Sequence, residues 1–210
     1  MSTHRIIRAL TRRWLVVRGQ EGSGSGYALY GDTWYTVTPN GISPVLSYPA
    51  NGQTYPWPAG LARRFTTRVK TDSYSIIIEY VVTYTMLNYE RDESEPLVVN
   101  KHHARFIWND TKRSFVFDHS HSDVLLADID AIANSQEPTS GTRIGGSVFF
   151  SELKGFVGGG YEVFLKYNLK KLNEIAKGRN AQRKNWLRRF LDDCDNVPEK
   201  KILLRVLEQS

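Results

Sequence analysis

The chain has 210 residues, 40% of them apolar and 12% aromatic, with 28 Lys and Arg against 22 Asp and Glu for a net charge of +6. That length suits one sizeable domain, or one domain with a smaller appendage. No apolar run reaches the roughly 18–20 residues of a membrane-spanning helix, and a lone Cys194 excludes an internal disulfide and a cysteine-based metal knuckle.

Charge is unevenly placed. Residues 1–18 carry five arginines and no acid, residues 160–191 have a net charge of +7, and the rest of the chain stands at −6. Two basic ends and an acidic middle suit charged neighbours and head-to-tail contact between copies. A lone thiol fits a cytosolic origin.

In chain order, the basic segment 1–18 places Ile6, Leu10 and Trp14 at i, i+4 and i+8. One apolar stripe of this kind predicts a first helix or strand docked on the core, although the Arg-rich, acid-free composition also resembles a mitochondrial transit peptide. Gly22–Gly26 reads as a flexible hinge. Tyr27–Thr38 reads as strand, turned into a hairpin at Gly31-Asp32. A Pro/Gly-dense loop is expected over 39–60, with Tyr48, Tyr55 and Trp57 as rigid aromatic anchors for a subunit contact.

Residues 63–70 and 73–87 predict the clearest hairpin, because Phe65, Thr67 and Val69 alternate with polar residues and Tyr74, Ile76, Ile78, Tyr80, Val82 and Tyr84 recur at every second position after the turn. Ile77 and Val81 on the other face mark the second strand as central. An acidic loop over 88–96, a short strand at 97–99, and a hairpin from Ala104–Trp108 to Ser114–Phe117 follow. Residues 124–133 are ambiguous between strand and helix, 134–146 is loop, and 147–150 is strand. Glycines at 155–160 mark a second hinge, and Tyr161–Tyr167 alternates like a strand. Helix formers take over at Leu169, with a break at Gly178. A second helix is expected over 180–193, its Trp186, Leu187, Phe190 and Leu191 on one face and Lys184 and Arg188 opposite. Pro198 breaks that helix, and Lys201–Leu207 closes the chain as strand or helix.

The one constellation resembling a metal site is Asp118-His119-Ser120-His121-Ser122-Asp123. On a strand, His119 and His121 would share a face, with His102 and His103 one hairpin away. A polar hairpin exit explains the same residues without a metal, and no zinc-binding pattern supports the ligand reading. The glycine stretches lack the spacing of a phosphate loop or a dinucleotide fingerprint, and no nucleophile elbow occurs. The expectation is therefore a non-enzyme with no cofactor, metal or small-molecule substrate. Nucleic acid is the alternative partner, through sequence-independent phosphate contacts of the basic N- and C-terminal segments, DNA included.

One order of elements resembles a known class. A basic entry segment is followed by an aromatic hairpin with a long Pro/Gly loop, and then by the strand Ser75–Tyr84. Next come a polar loop with Ile132-Ala133-Asn134-Ser135 and a β segment ending at Tyr167-Asn168. Over about residues 14–168 this resembles small structural proteins of tailed bacteriophages, of the neck, connector or baseplate kind. The basic helical stretch 169–210 has no counterpart there. The resemblance implies a β-rich subunit repeated around a ring, with loops or terminal arms clasping its neighbours.

The combined expectation is a β-dominated α+β protein with an antiparallel, sandwich-like body. It divides into a basic segment at 1–18, a main domain at 19–168 and a basic helical extension at 169–210. Its expected role is that of a non-catalytic, homo-oligomeric virion subunit, made in the host cytoplasm, that contacts other virion proteins and no membrane. Tyr48, Tyr55 and Trp57 are the expected subunit contacts, with Arg8, Arg12, Arg13, Lys184 and Arg188 as charged contacts.

Overall fold

Alternation of β-branched and aromatic residues builds the body of the molecule. The computed structural model describes residues 3–9, 12–24, 27–54, 61–86, 96–122, 142–143 and 161–209. Its strands are β1 (Thr3–Ala9), β2 (Arg12–Gly24), β3 (Tyr27–Thr38), β4 (Gly41–Thr54), β5 (Leu61–Thr71), β6 (Ser75–Met86), β7 (Pro96–Asn109), β8 (Ser114–Phe117) and the short β9 (Thr142–Arg143). Strands β1 to β8 lie in sequence order, each antiparallel to the next. The protein is β-dominated α+β, as its sequence predicts.

The β5–β6 hairpin follows the alternation. Ile76, Ile78, Tyr80, Val82 and Tyr84 are all buried, and Phe65 packs against Tyr80 with ring centroids 6.3 Å apart. The turn is built by Asp72, whose carboxylate accepts hydrogen bonds from the backbone N–H of Tyr74 and Ser75. β7 runs unbroken through Asn100–His103, where the sequence suggests two separate strands.

The sheet folds over at β4. This strand pairs with β3 along its whole length but with β5 only through Asn51–Thr54. Its earlier part leaves β5, and β9 pairs in parallel with Leu46 and Ser47. The first strands thereby pack face to face with the last, as in a sandwich. Trp14 of β2 lies 5.1 Å from Trp108 of β7 and 5.4 Å from Phe115 of β8, and Trp34 of β3 lies 6.3 Å from Phe115.

The loop expected at 39–60 is strand over Gly41–Thr54. Its prolines sit where the ladder is interrupted: the register passes from Asn51 to Pro49 opposite Tyr30 and Gly31, and from Leu46 to Pro44 opposite Trp34 and Tyr35. Two bulges absorb Ala50 and Val45, both buried, so the missing proline donors do not end the strand. The hairpin expected at Gly31-Asp32 is likewise absent, because β3 is continuous there. Gly22–Gly24 lies in β2 next to a bulge, in place of a hinge.

Three helices complete the described chain: α1 (Tyr161–Lys177), α2 (Ala181–Asp192) and α3 (Pro198–Glu208). The strand expected at Tyr161–Tyr167 is the start of α1. Phe164, Asn168, Leu172 and Ala176 recur every four residues and are all buried, and that helical period overrides the short alternation. α1 docks on the sheet through Phe164, 4.6 Å from Tyr84, and through Asn168, whose carbonyl oxygen accepts from Asn100 Nδ2 at 2.8 Å. The amide of Asn168 donates in turn to the Phe164 carbonyl at 2.9 Å, which satisfies a buried polar side chain at both ends. Asn180 caps α2 by accepting from the Arg183 N–H at 3.0 Å, and Pro198 opens α3 in its first turn, where a proline costs no hydrogen bond. Phe190, Leu191, Leu203 and Leu207 continue the core of the sheet into the helices. No helix among the described residues is long and apolar enough to cross a membrane.

Candidate functional site

One polar feature of the fold is a carboxylate inside it. Register aligns Arg18 of β2, Asp32 of β3 and Tyr48 of β4 across three neighbouring strands. Asp32 is 1% exposed, and a buried carboxylate persists only when it is paired and hydrogen-bonded. Arg18 donates Nε to Oδ1 at 2.7 Å and Nη2 to Oδ2 at 2.9 Å, and Arg5 of β1 adds an Nη2 donor at 3.2 Å. The Tyr48 hydroxyl donates to Oδ2 at 3.3 Å and accepts from Trp34 Nε1 at 3.4 Å. The hydrogen bond to Asp32 raises the Arg18 pKa, against the opposing effect of burial. Burial, and then the negative charge of Asp32, push the Tyr48 hydroxyl well above the ordinary phenol range. The cluster ties four strands together, and through Arg5 it holds β1 in place.

That anchor fixes an edge. Among the described strands β1 has β2 as its one neighbour, and its other side is paired with none of them. Ile6 on the outer face is 72% exposed and stands in register with Leu15 and, beyond it, Tyr35. The cross-strand pair Val37 and Ile42 extends the same outer face at 60% and 58% exposure. An edge strand backed by exposed apolar side chains is a template for adding a strand from another chain.

A second polar cluster surrounds the exit from β8. Asp118 caps a single 3-10 turn at His119–His121, accepting from the Ser120 N–H at 3.2 Å and its hydroxyl at 2.7 Å. His121 Nδ1 lies 2.9 Å from both Asp118 Oδ2 and Ser120 Oγ. Both neighbours therefore meet one ring nitrogen, whereas a proton relay needs the acid and the hydroxyl on opposite nitrogens. Arg105 spans the cluster, 3.6 Å from Asp72 and from Asp118, with Nε donating to Ser75 Oγ at 3.1 Å. The Ser120 hydroxyl first, and His121 next, hold the Asp118 carboxyl below its usual range. The strand expected to align His119 and His121 is this turn, and the His119 ring packs edge-on against Phe117 at 4.9 Å. His102 and His103 occupy successive positions of β7 and so point to opposite faces. No group of three metal-ligating side chains gathers among the described residues.

The expected contact residues separate into distinct groups. Tyr48, expected as an exposed anchor, is fully buried in the Asp32 cluster; the bulged β4 carries it inward. Tyr55 and Trp57 lie outside the described residues. Arg8 is placed in β1 opposite Arg13, which is exposed on β2. Arg12 stacks over Trp108 at 4.8 Å and pairs with Asp110 at 3.4 Å. Arg188 donates to the Leu207 carbonyl at 3.1 Å, closing the end of α3, and to Asn185 at 3.2 Å. Lys184 is half-buried on α2.

One cationic surface is not among these expectations. The outer face of β5–β7 carries Arg64, Arg68, Lys70 and Lys101, all exposed. Its signal in the sequence is that Arg64, Arg68 and Lys70 take even-numbered positions on a strand whose odd-numbered positions are Phe65, Thr67 and Val69.

No protein-family model matches this chain, and neither a curated protein nor a solved structure matches it.

Proposed function

We propose that this chain is a non-catalytic structural subunit that works by assembling with further copies of itself, in a viral particle of the tailed-phage kind at a neck, connector or baseplate ring. The observation that supports the reading is the β1 edge: paired on one side alone among the described strands, backed by exposed Ile6, Val37 and Ile42, and held from within by Arg5 on Asp32. Natural edges are usually blunted by proline, bulges or inward charges; β1 has one of these, the inward Arg5, whose charge Asp32 meets inside the fold. β1 has seven residues without a proline, and its register with β2 is uninterrupted. Strand addition at such an edge joins subunits through main-chain hydrogen bonds, with Ile6 in the contact.

Light-scattering mass, measured over a range of protein concentration, tests the proposal. The wild-type chain is expected to form a multimer of defined number, and Ile6→Lys to remain a monomer with its fold intact. A wild-type monomer at every concentration, or an Ile6→Lys variant that assembles normally, contradicts it. A second reading, nucleic-acid binding through the basic N- and C-terminal segments, has less to rest on. Arg12 and Arg188, two of its cations, are engaged within the chain.

A further inference from the structure

Register composes the outer face of β5, β6 and β7 row by row. Arg64 stands beside Thr83 and Val99, Thr66 beside Val81 and Lys101, Arg68 beside Glu79 and His103, and Lys70 beside Ile77 and Arg105. Successive cations on one strand therefore recur at intervals of roughly 7 to 14 Å. Four exposed cations, Arg64, Arg68, Lys70 and Lys101, share these rows with a single carboxylate, Glu79. Lys70 takes up that carboxylate, Nζ to Oε1 at 2.5 Å, leaving Arg68 and Lys101 to act on it at longer range. The hydrogen bond from Lys70, and after it the attraction of Lys70, Arg68 and Lys101, hold Glu79 below its usual range.

The face runs between Arg105 at one end and Lys171 at the other. Arg105 closes it at the β5–β6 turn, where Asp72, Asp118 and Ser75 engage the guanidinium. At the other end Lys171 of α1 donates to the Val99 carbonyl at 2.6 Å, which brings a further cation to the rim. Between the cations lie half-buried Ile77 and Val81 and exposed Val99. Cations at repeated intervals with apolar side chains between them match a ligand that alternates phosphates with accessible base faces. A single strand has both; a duplex turns only phosphates outward and leaves the apolar positions without a partner.

We propose that the outer face of β5–β7 binds single-stranded nucleic acid, with phosphates on Arg64, Arg68 and Lys101 and bases against Val81 and Val99. This binding is sequence-independent, goes beyond the assembly reading, and stands whether or not the chain assembles.

Fluorescence anisotropy with a labelled mixed-sequence DNA strand of about 20 nucleotides, across roughly 50 to 200 mM salt, tests the proposal. Three proteins are compared, their folds checked by circular dichroism. They are the wild type, the face variant Arg64→Gln/Arg68→Gln/Lys101→Gln, and a control of equal charge loss on the helices, Lys166→Gln/Lys170→Gln/Lys201→Gln. The face variant is expected to lose at least about tenfold in affinity at the low-salt end, and its log–log salt slope to shrink by about 2, at roughly 0.7 per lost phosphate contact. The control is expected to stay within about threefold of the wild type, a change that general electrostatics alone can supply. Four results would overturn the proposal: no binding by the wild type, a face variant like the wild type, a control as impaired as the face variant, or tighter binding to the matched duplex. Polyglutamate competing as well as the unlabelled strand would also overturn it, by assigning the face to an acidic protein partner.

Discussion

Asp32 and Arg18 face each other across β3 and β2, and the guanidinium takes both carboxylate oxygens, at 2.7 and 2.9 Å. The fork matches the carboxylate plane, and Arg5 and Tyr48 fill the remaining acceptor sites on Oδ2. Four strands thus converge on one buried charge. Removing it by Asp32→Ala leaves two guanidiniums and a phenol without their acceptor. The expected cost is about 3 kcal/mol, near the lower end for breaking a buried pair because both arginines still reach solvent. Urea unfolding measures it, and Arg5→Ala, on a half-exposed side chain, is expected to cost about 1 kcal/mol or less.

Tyr48→Phe separates a core role from a surface role. The change removes an acceptor from Trp34 Nε1 and a donor from Asp32, both in the interior. A loss of about 1–2 kcal/mol in unfolding free energy is expected. An exposed contact residue would lose almost nothing.

Stability is expected to fall above about pH 10, the ordinary tyrosine value. Burial raises the pKa of Tyr48 and of Tyr80 in the folded state. The unfolded chain therefore sheds these protons first, and unfolding becomes more favourable as pH rises through that value. Denaturant midpoints at pH 9 and pH 11 test the direction, and Tyr48→Phe should lessen the drop.

Acid acts through the other polar cluster. Asp72 and Asp118 are held below the usual carboxylate range, each first by a serine hydroxyl, Ser75 and Ser120 respectively. Their contribution is complete above the unfolded value of about 4 and fades as pH falls below it. Ser120→Ala should make the unfolding midpoint less sensitive between pH 5 and pH 3, measured by the same titration.

Cys194 should be inert in the folded protein. It is buried, donates to the Phe190 carbonyl at 3.1 Å, and has its thiol pushed up to about 12, chiefly by burial. Reaction with a thiol reagent near pH 8 should be slow and should accelerate in step with unfolding in urea.

The strands with strict alternation were legible from sequence because alternation and burial coincide along them, as Ile76 to Tyr84 show. β4 was not, since Pro44 and Pro49 read as strand breakers until bulges at Val45 and Ala50 absorb them. Asp32 reads locally as a turn residue; its partners Arg18 and Arg5 lie 14 and 27 residues away, beyond any local pattern. The basic ends were visible as charge. What their charges meet was not, since Trp108 under Arg12 and the Leu207 carbonyl at Arg188 are set by tertiary packing. The cations Arg64, Arg68 and Lys70 of β5 were legible in principle, because period-two spacing sends them to one face, while Lys101 joins them through the register of β6 and β7.

Amide hydrogen exchange along Thr3–Ala9, followed as protein concentration rises, tests the assembly edge most directly. Exchange is expected to slow in step with the rise in mass, and to stay fast in Ile6→Lys at every concentration. Unchanged exchange in β1 while the mass rises would place the subunit contact elsewhere and contradict the account.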